Sequence, residues 1–149
     1  MTALATEALT ADQTVELARN QVDAFSTGNW EQLRARLASD SRYDELGTQR
    51  KIEGSEKIVE LFKSWKMAFP DAVGTVTSAV ASGNKAVLEV TWKGTHTGPL
   101  ETPEGTIPAS GKPQETPAAL FFTFEGDMIK ESRHYFDSMT LLKQIGAAA

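Results

Sequence analysis

At Pro70 one hydrophobic periodicity gives way to another, and this change constrains the fold more than any other feature of the chain. Before it, apolar residues recur at helical spacing. Thr10 and Gln13 form a capping box, and Val15, Ala18, Val22 and Phe25 follow on one face as far as Gly28. Asn29 and Gln32 form a second box, with Trp30, Leu33 and Leu37 on one side of a short helix. Ser55 opens a third helix whose face is Ile58, Leu61, Phe62, Trp65 and Phe69; Pro70, lacking an N–H and fixed in φ, stops it. After Pro70 the period drops to two. Residues 73–80 and 85–96 alternate around a Ser-Gly-Asn turn, and 117–124 and 128–136 around a Glu-Gly-Asp turn. Residues 138–145 are a short closing helix, with Gly146 at its end.

Helices followed by hairpin-connected strands predict an α+β fold. The sheet is mainly antiparallel and curves around the three N-terminal helices, so that one face encloses a pocket. A length of 149 residues fits one domain. The expected organisation is a flexible N-terminus over 1–9, a single domain over 10–146 and a tail over 147–149. Residues 97–116 read as a long loop with four prolines and three glycines; such a loop usually has a task, here folding over the pocket or joining a subunit interface.

The net charge of −5 and the absence of any basic run argue against nucleic acid and anionic membranes as partners. With no cysteine there is no disulfide, thiolate zinc site or cysteine nucleophile. The first ten residues carry neither positive charge nor a long apolar run, so no signal peptide or membrane anchor is read there, and a cytoplasmic location is the expectation.

Several motifs resemble those of the SnoaL-like polyketide cyclases, also called ester cyclases: Phe69-Pro70-Asp71 at the end of the third helix, Gly94–Gly98 reading GTHTG, Ser110-Gly111, and the closing run Glu131…Phe136-Asp137…Gln144-Ile145-Gly146. The detailed resemblance covers 52–146. It implies the cone-shaped α+β barrel of the nuclear-transport-factor-2-like superfamily, which ketosteroid isomerases and limonene epoxide hydrolases share. It also implies aldol-type ring closure of a hydrophobic, carbonyl-bearing small molecule without cofactor or metal, and a homodimer. Such chemistry needs a base beside a carbonyl and a donor for the enolate oxygen. Because one fold carries many chemistries, a non-catalytic ligand-binding protein, or an isomerase or epoxide hydrolase on the same scaffold, stands as the alternative.

Strand parity sorts the candidate site residues. Ser132, His134 and Phe136 share one face of the last strand, and Arg133, Tyr135 and Asp137 the other. His134 and Asp137 are therefore not a catalytic pair. His134 faces the presumed pocket, where the related enzymes commonly place an aspartate, and is either the general base or a buried neutral histidine. Asp137 is either a catalytic residue or the cap of the last helix; the cap is favoured. His96 is a second acid/base candidate, or else a histidine that pins its loop. Tyr43 is an oxyanion donor or a rim residue, and Asp44 and Glu45 beside it read as solvated. Phe62, Trp65, Phe69, Trp92 and Phe121 are candidates for a substrate-binding wall, or plain core. The arginine and aspartate of the epoxide hydrolases would fall near Thr91 and Lys93, and neither matches. No spacing supports a metal site.

Overall fold

The computed structural model describes residues 9–148. Helix α1 (Ala11–Thr27) starts where the Thr10 side chain accepts from the Gln13 N–H and ends at Gly28 in the left-handed region, φ 70°. Asn29 caps α2 (Trp30–Arg36). Two strands follow, β1 (Leu37–Glu45) and β2 (Arg50–Glu53), and then α3 (Ser55–Ala68). Beyond Pro70 come β3 (Val73–Ser82), β4 (Lys85–Thr95), β5 (Leu100–Thr102), β6 (Gly105–Ile107), β7 (Pro113–Glu125) and β8 (Met128–Phe136), closed by α4 (Ser138–Gln144).

Six strands form one sheet in the order β2-β1-β8-β7-β4-β3. All neighbours are antiparallel except β1 and β8, which run parallel. Among the described residues, four helices on a mixed, mostly antiparallel sheet make this an α+β fold. The inner faces of β4, β7 and β8 supply Leu88, Val90, Phe122, Phe124 and Ile129, which pack on Ala18 and Val22 of α1, Leu33 of α2 and Ile58 and Val59 of α3. A second cluster joins Ala68, Phe69 and Ala72 at the end of α3 to Leu100, Leu141 and Ile145.

The structure departs from the sequence reading in three places. Residues 37–53 contain β1 and β2, which were not foreseen. The supposed loop over 97–116 carries the β5–β6 hairpin, and β7 begins at Pro113, because Pro113–Thr116 continue to pair with β4 from Thr95 back to Trp92. The hairpin packs on the end of α3, where Leu100 is fully buried. Gly98 serves this packing: its N–H donates to the Ala68 carbonyl, and a Cβ would collide with the Met67 carbonyl oxygen. Its glycine thus answers a close approach to α3. Of the flexible start expected over 1–9, residues 1–8 lie outside the described residues, as does Ala149 of the expected tail.

Candidate active site

A cavity of about 120 Å³ lies where the two apolar clusters meet, since Val22, Leu33, Leu120 and Phe122 of the first and Phe69, Ala72 and Leu141 of the second all line it. Alternation along β8 brings Ser132, His134 and Phe136 together to its wall. Phe62, Trp65, Phe69 and Trp92 line it as well. Phe121 does not. It sits on the opposite face of β7, edge-on to Tyr135 and under the Arg133 guanidinium, and its neighbour Phe122 takes the wall position.

His134 is the polar centre of the cavity. Its Nε2 lies 3.2 Å from Trp92 Nε1, and its Nδ1 lies 2.9 Å from the Tyr43 hydroxyl. An indole N–H can only donate, so Nε2 is the acceptor and carries no proton. The proton of the neutral ring therefore sits on Nδ1 and is donated to the Tyr43 oxygen. Tyr43 in turn donates its O–H to Glu45 Oε2 at 2.9 Å. Burial depresses the His134 pKa to about 4, against a smaller upward pull from Glu45. Burial, and then Glu45, hold the Tyr43 hydroxyl well above its ordinary value. Both groups are neutral at pH 7.

Glu45 anchors this chain of hydrogen bonds. The sequence reading left it solvated, yet its side chain is fully buried. Oε2 accepts from Trp65 Nε1 at 2.8 Å in addition to Tyr43, while Oε1 accepts from Thr48 at 2.6 Å and from the Arg50 guanidinium at 2.8 and 3.2 Å. A buried carboxylate is tolerated when it is paired and its lone pairs are filled, and here Arg50 supplies the charge and three other donors the geometry. Tyr43 and Glu45 are two apart on β1, so strand parity turns both inward. That signal was available in the sequence, but only to a reader who had placed a strand there.

The remaining candidates lie elsewhere. Asp137 is exposed, outside the cavity wall, and caps α4: it accepts from the Met139 N–H at 3.0 Å and the Thr140 hydroxyl at 2.9 Å. His96 is fully buried but does not line the cavity. Its Nδ1 faces both the hydroxyl and the N–H of Ser110, and its backbone bonds Lys112 and Gly111, so it ties the end of β4 to the segment before β7. Burial lowers its pKa. Polar residues that the sequence reading did not single out also line the cavity: Gln21, Gln114 and Thr116. Among the described residues no three His, Cys, Asp or Glu side chains group to hold a metal ion. No helix there is long and apolar enough to cross a membrane.

The sequence profile of the family described as SnoaL-like polyketide cyclase matches residues 15–145. The chain belongs to the SnoaL-like polyketide cyclase family. No curated protein sequence matches it significantly. Among solved structures, a protein of Jannaschia sp. CCS1 assigned as a SnoaL-like polyketide cyclase superposes with a TM-score of 0.84 at 20% identity, over 96% of this chain and 98% of that one. IdmH of Streptomyces antibioticus, assigned as a polyketide cyclase, gives 0.76 at 24% identity over 90% and 99%. A Catenulispora acidiphila protein with a ketosteroid isomerase-like fold, in complex with trimethylamine, gives 0.75 at 20% identity over 88% and 92%. At these identities the likeness is one of fold. For this SnoaL-like chain it establishes the ketosteroid isomerase-like architecture that the motifs implied.

Proposed function

We propose that this SnoaL-like protein binds a hydrophobic, carbonyl-bearing small molecule in the cavity and acts on it by cofactor-independent acid/base chemistry, with aldol-type ring closure as the reaction. The observation that carries the reading is the neutral imidazole of His134 in an apolar cavity, its Nδ1–H held by Tyr43 and, through it, by Glu45. Nε2 takes a proton from the carbon beside the carbonyl. The C–H bond breaks, its electron pair moves into the enolate, and the imidazolium that forms is stabilised through Nδ1–H by the Tyr43–Glu45 chain. The enolate carbon then attacks a second carbonyl of the same molecule, and the proton on Nε2 goes to the new alkoxide. Tyr43, whose hydroxyl is committed to Glu45 and His134, acts by orienting the base. The Catenulispora protein, which holds trimethylamine on the same fold, supports a small-molecule ligand.

One observation favours a second reading. Nε2 already accepts from Trp92, and a pKa of about 4 makes a weak base. Under that reading the cavity binds its ligand without converting it. Exchange of the α-protons of 2-tetralone in D2O, followed by NMR, separates the two. The catalytic reading expects exchange at least about 10²-fold faster with the native protein than with His134→Ala. Equal rates, with 2-tetralone bound, would leave only the binding reading.

A further inference from the structure

The Trp92 indole and the His134 imidazole face each other as donor and acceptor, 3.2 Å apart, on the wall of an apolar cavity. That spacing is at the long end for an N–H hydrogen bond. An enolisable ketone offers the complementary pair: an oxygen that accepts, and a C–H whose carbon lies about 2.4 Å from that oxygen by standard bond lengths and angles. Donor and acceptor therefore fit the two ends of one Cα–C=O unit. The donors of the hydrogen-bond chain behind His134 are already engaged. The Tyr43 hydroxyl donates to Glu45, and so does the Trp65 indole. The Trp92 N–H is the donor beside Nε2 that a ligand can recruit by exchanging one weak acceptor for a better one.

We infer that Trp92 is a catalytic residue: its indole N–H holds the carbonyl oxygen of an enolisable ketone and the enolate oxygen that develops from it, while His134 Nε2 removes the adjacent proton. The inference deepens the acid/base reading above and rests on it. It also gives the resting hydrogen bond a purpose. While the cavity is empty of substrate, the indole N–H occupies the lone pair of the base. A carbonyl oxygen that draws the N–H away frees Nε2, so capture of the oxygen and release of the base are one event. The electron pair of the broken C–H bond ends on the oxygen bound to Trp92, and the proton ends on Nε2.

The rest of the fold holds the indole for this task. Trp92 lies on β4, paired on both sides, opposite Gly74 of β3 and Thr116 of β7. Its ring meets Phe25 edge-on at 5.2 Å. Gly74 leaves the space the ring fills, since a Cβ there would lie 2.6 Å from Trp92 Cζ3.

The test is Trp92→Phe in the 2-tetralone exchange assay, with His134→Ala alongside. Loss of one oxyanion donor typically costs 10²–10³-fold, so exchange should fall by at least about 10²-fold. A merely structural indole predicts the opposite sign. Removing the donor from Nε2 makes His134 more basic, and exchange would stay equal or rise; either result overturns the inference. If His134→Ala matches the native protein, the acid/base reading itself fails. If His134→Ala is inactive and Trp92→Phe is not, only the role of Trp92 fails. A measurement on the native protein removes dependence on the folding of the variant. The Trp92 indole proton resonance should shift with 2-tetralone and not with tetralin, which has the same rings without the carbonyl. Equal shifts with both, or none with either, overturn the inference.

Discussion

The Tyr43 hydroxyl stands between two side chains, 2.9 Å from His134 Nδ1 and 2.9 Å from Glu45 Oε2, and so receives the proton that the Trp92 N–H keeps off Nε2. These partners predict one tautomer. In Tyr43→Phe the Trp92 N–H still holds Nε2 as an acceptor, so long-range ¹H–¹⁵N NMR should find the Nδ1–H form alone, as in the native protein. A mixture of the two neutral forms would mean that Tyr43, and not Trp92, sets the ring state.

Stability should fall with pH through His134. Its folded pKa, about 4, lies below the unfolded value near 6.5, so the unfolded chain takes up the proton first. The contribution is fully present above pH 6.5 and is lost as pH falls from there toward 4. Between pH 7 and pH 5 that is roughly 2 kcal/mol. Urea unfolding at both pH values should show a loss about that much larger for the native protein than for His134→Asn. Equal losses would place His134 in a solvated setting.

Removing the anchor should cost more than removing a cap. Glu45→Ala leaves the Arg50 charge, the Trp65 N–H and the Tyr43 hydroxyl without their common acceptor. Breaking a buried pair in this way typically costs 3–5 kcal/mol, a drop of roughly 10 °C or more in melting temperature for a domain of this size. Asp137→Ala removes only the α4 cap, worth about 0.5–2 kcal/mol. It should leave exchange of 2-tetralone unchanged. Loss of exchange in Asp137→Ala with stability intact would restore the aspartate to the chemistry.

Gly74→Ala should disturb the cavity from outside it. The new Cβ meets Trp92 Cζ3 at 2.6 Å and Val22 Cγ1 at 2.8 Å, both in packed surroundings. Overpacking of this kind costs about 1–3 kcal/mol. The tryptophan fluorescence spectrum should move with the melting temperature. A variant as stable as the native protein, with an unmoved spectrum, would mean that Trp92 has more room than this packing allows.

Helices and hairpins were legible in the sequence because each is written locally. Caps at Thr10 and Asn29, the break at Pro70 and period-two strands need no distant partner. Parity alone placed Ser132, His134 and Phe136 on one face, and the cavity wall contains all three. Residues 37–45 were illegible for a physical reason. Strand β1 reads LASDSRYDE, and its inward Ser41, Tyr43 and Glu45 are mostly polar, so no hydrophobic alternation announces it. Tyr43 and Glu45 are buried by hydrogen bonding, and β1 is held by parallel pairing to a strand some ninety residues away. The same gap hid Glu45. Phe121 and Phe122 are adjacent on β7, and a list of aromatic residues could not say which one faces inward.

The pH dependence of 2-tetralone exchange tests the central claim most directly, because kcat/KM reports the ionisation of the free enzyme's base. With neutral His134 as the base, exchange should rise through about pH 4, stay flat past pH 7, and lose this dependence together with its rate in His134→Ala. A midpoint near 6.5, or a profile that His134→Ala leaves intact, would contradict it.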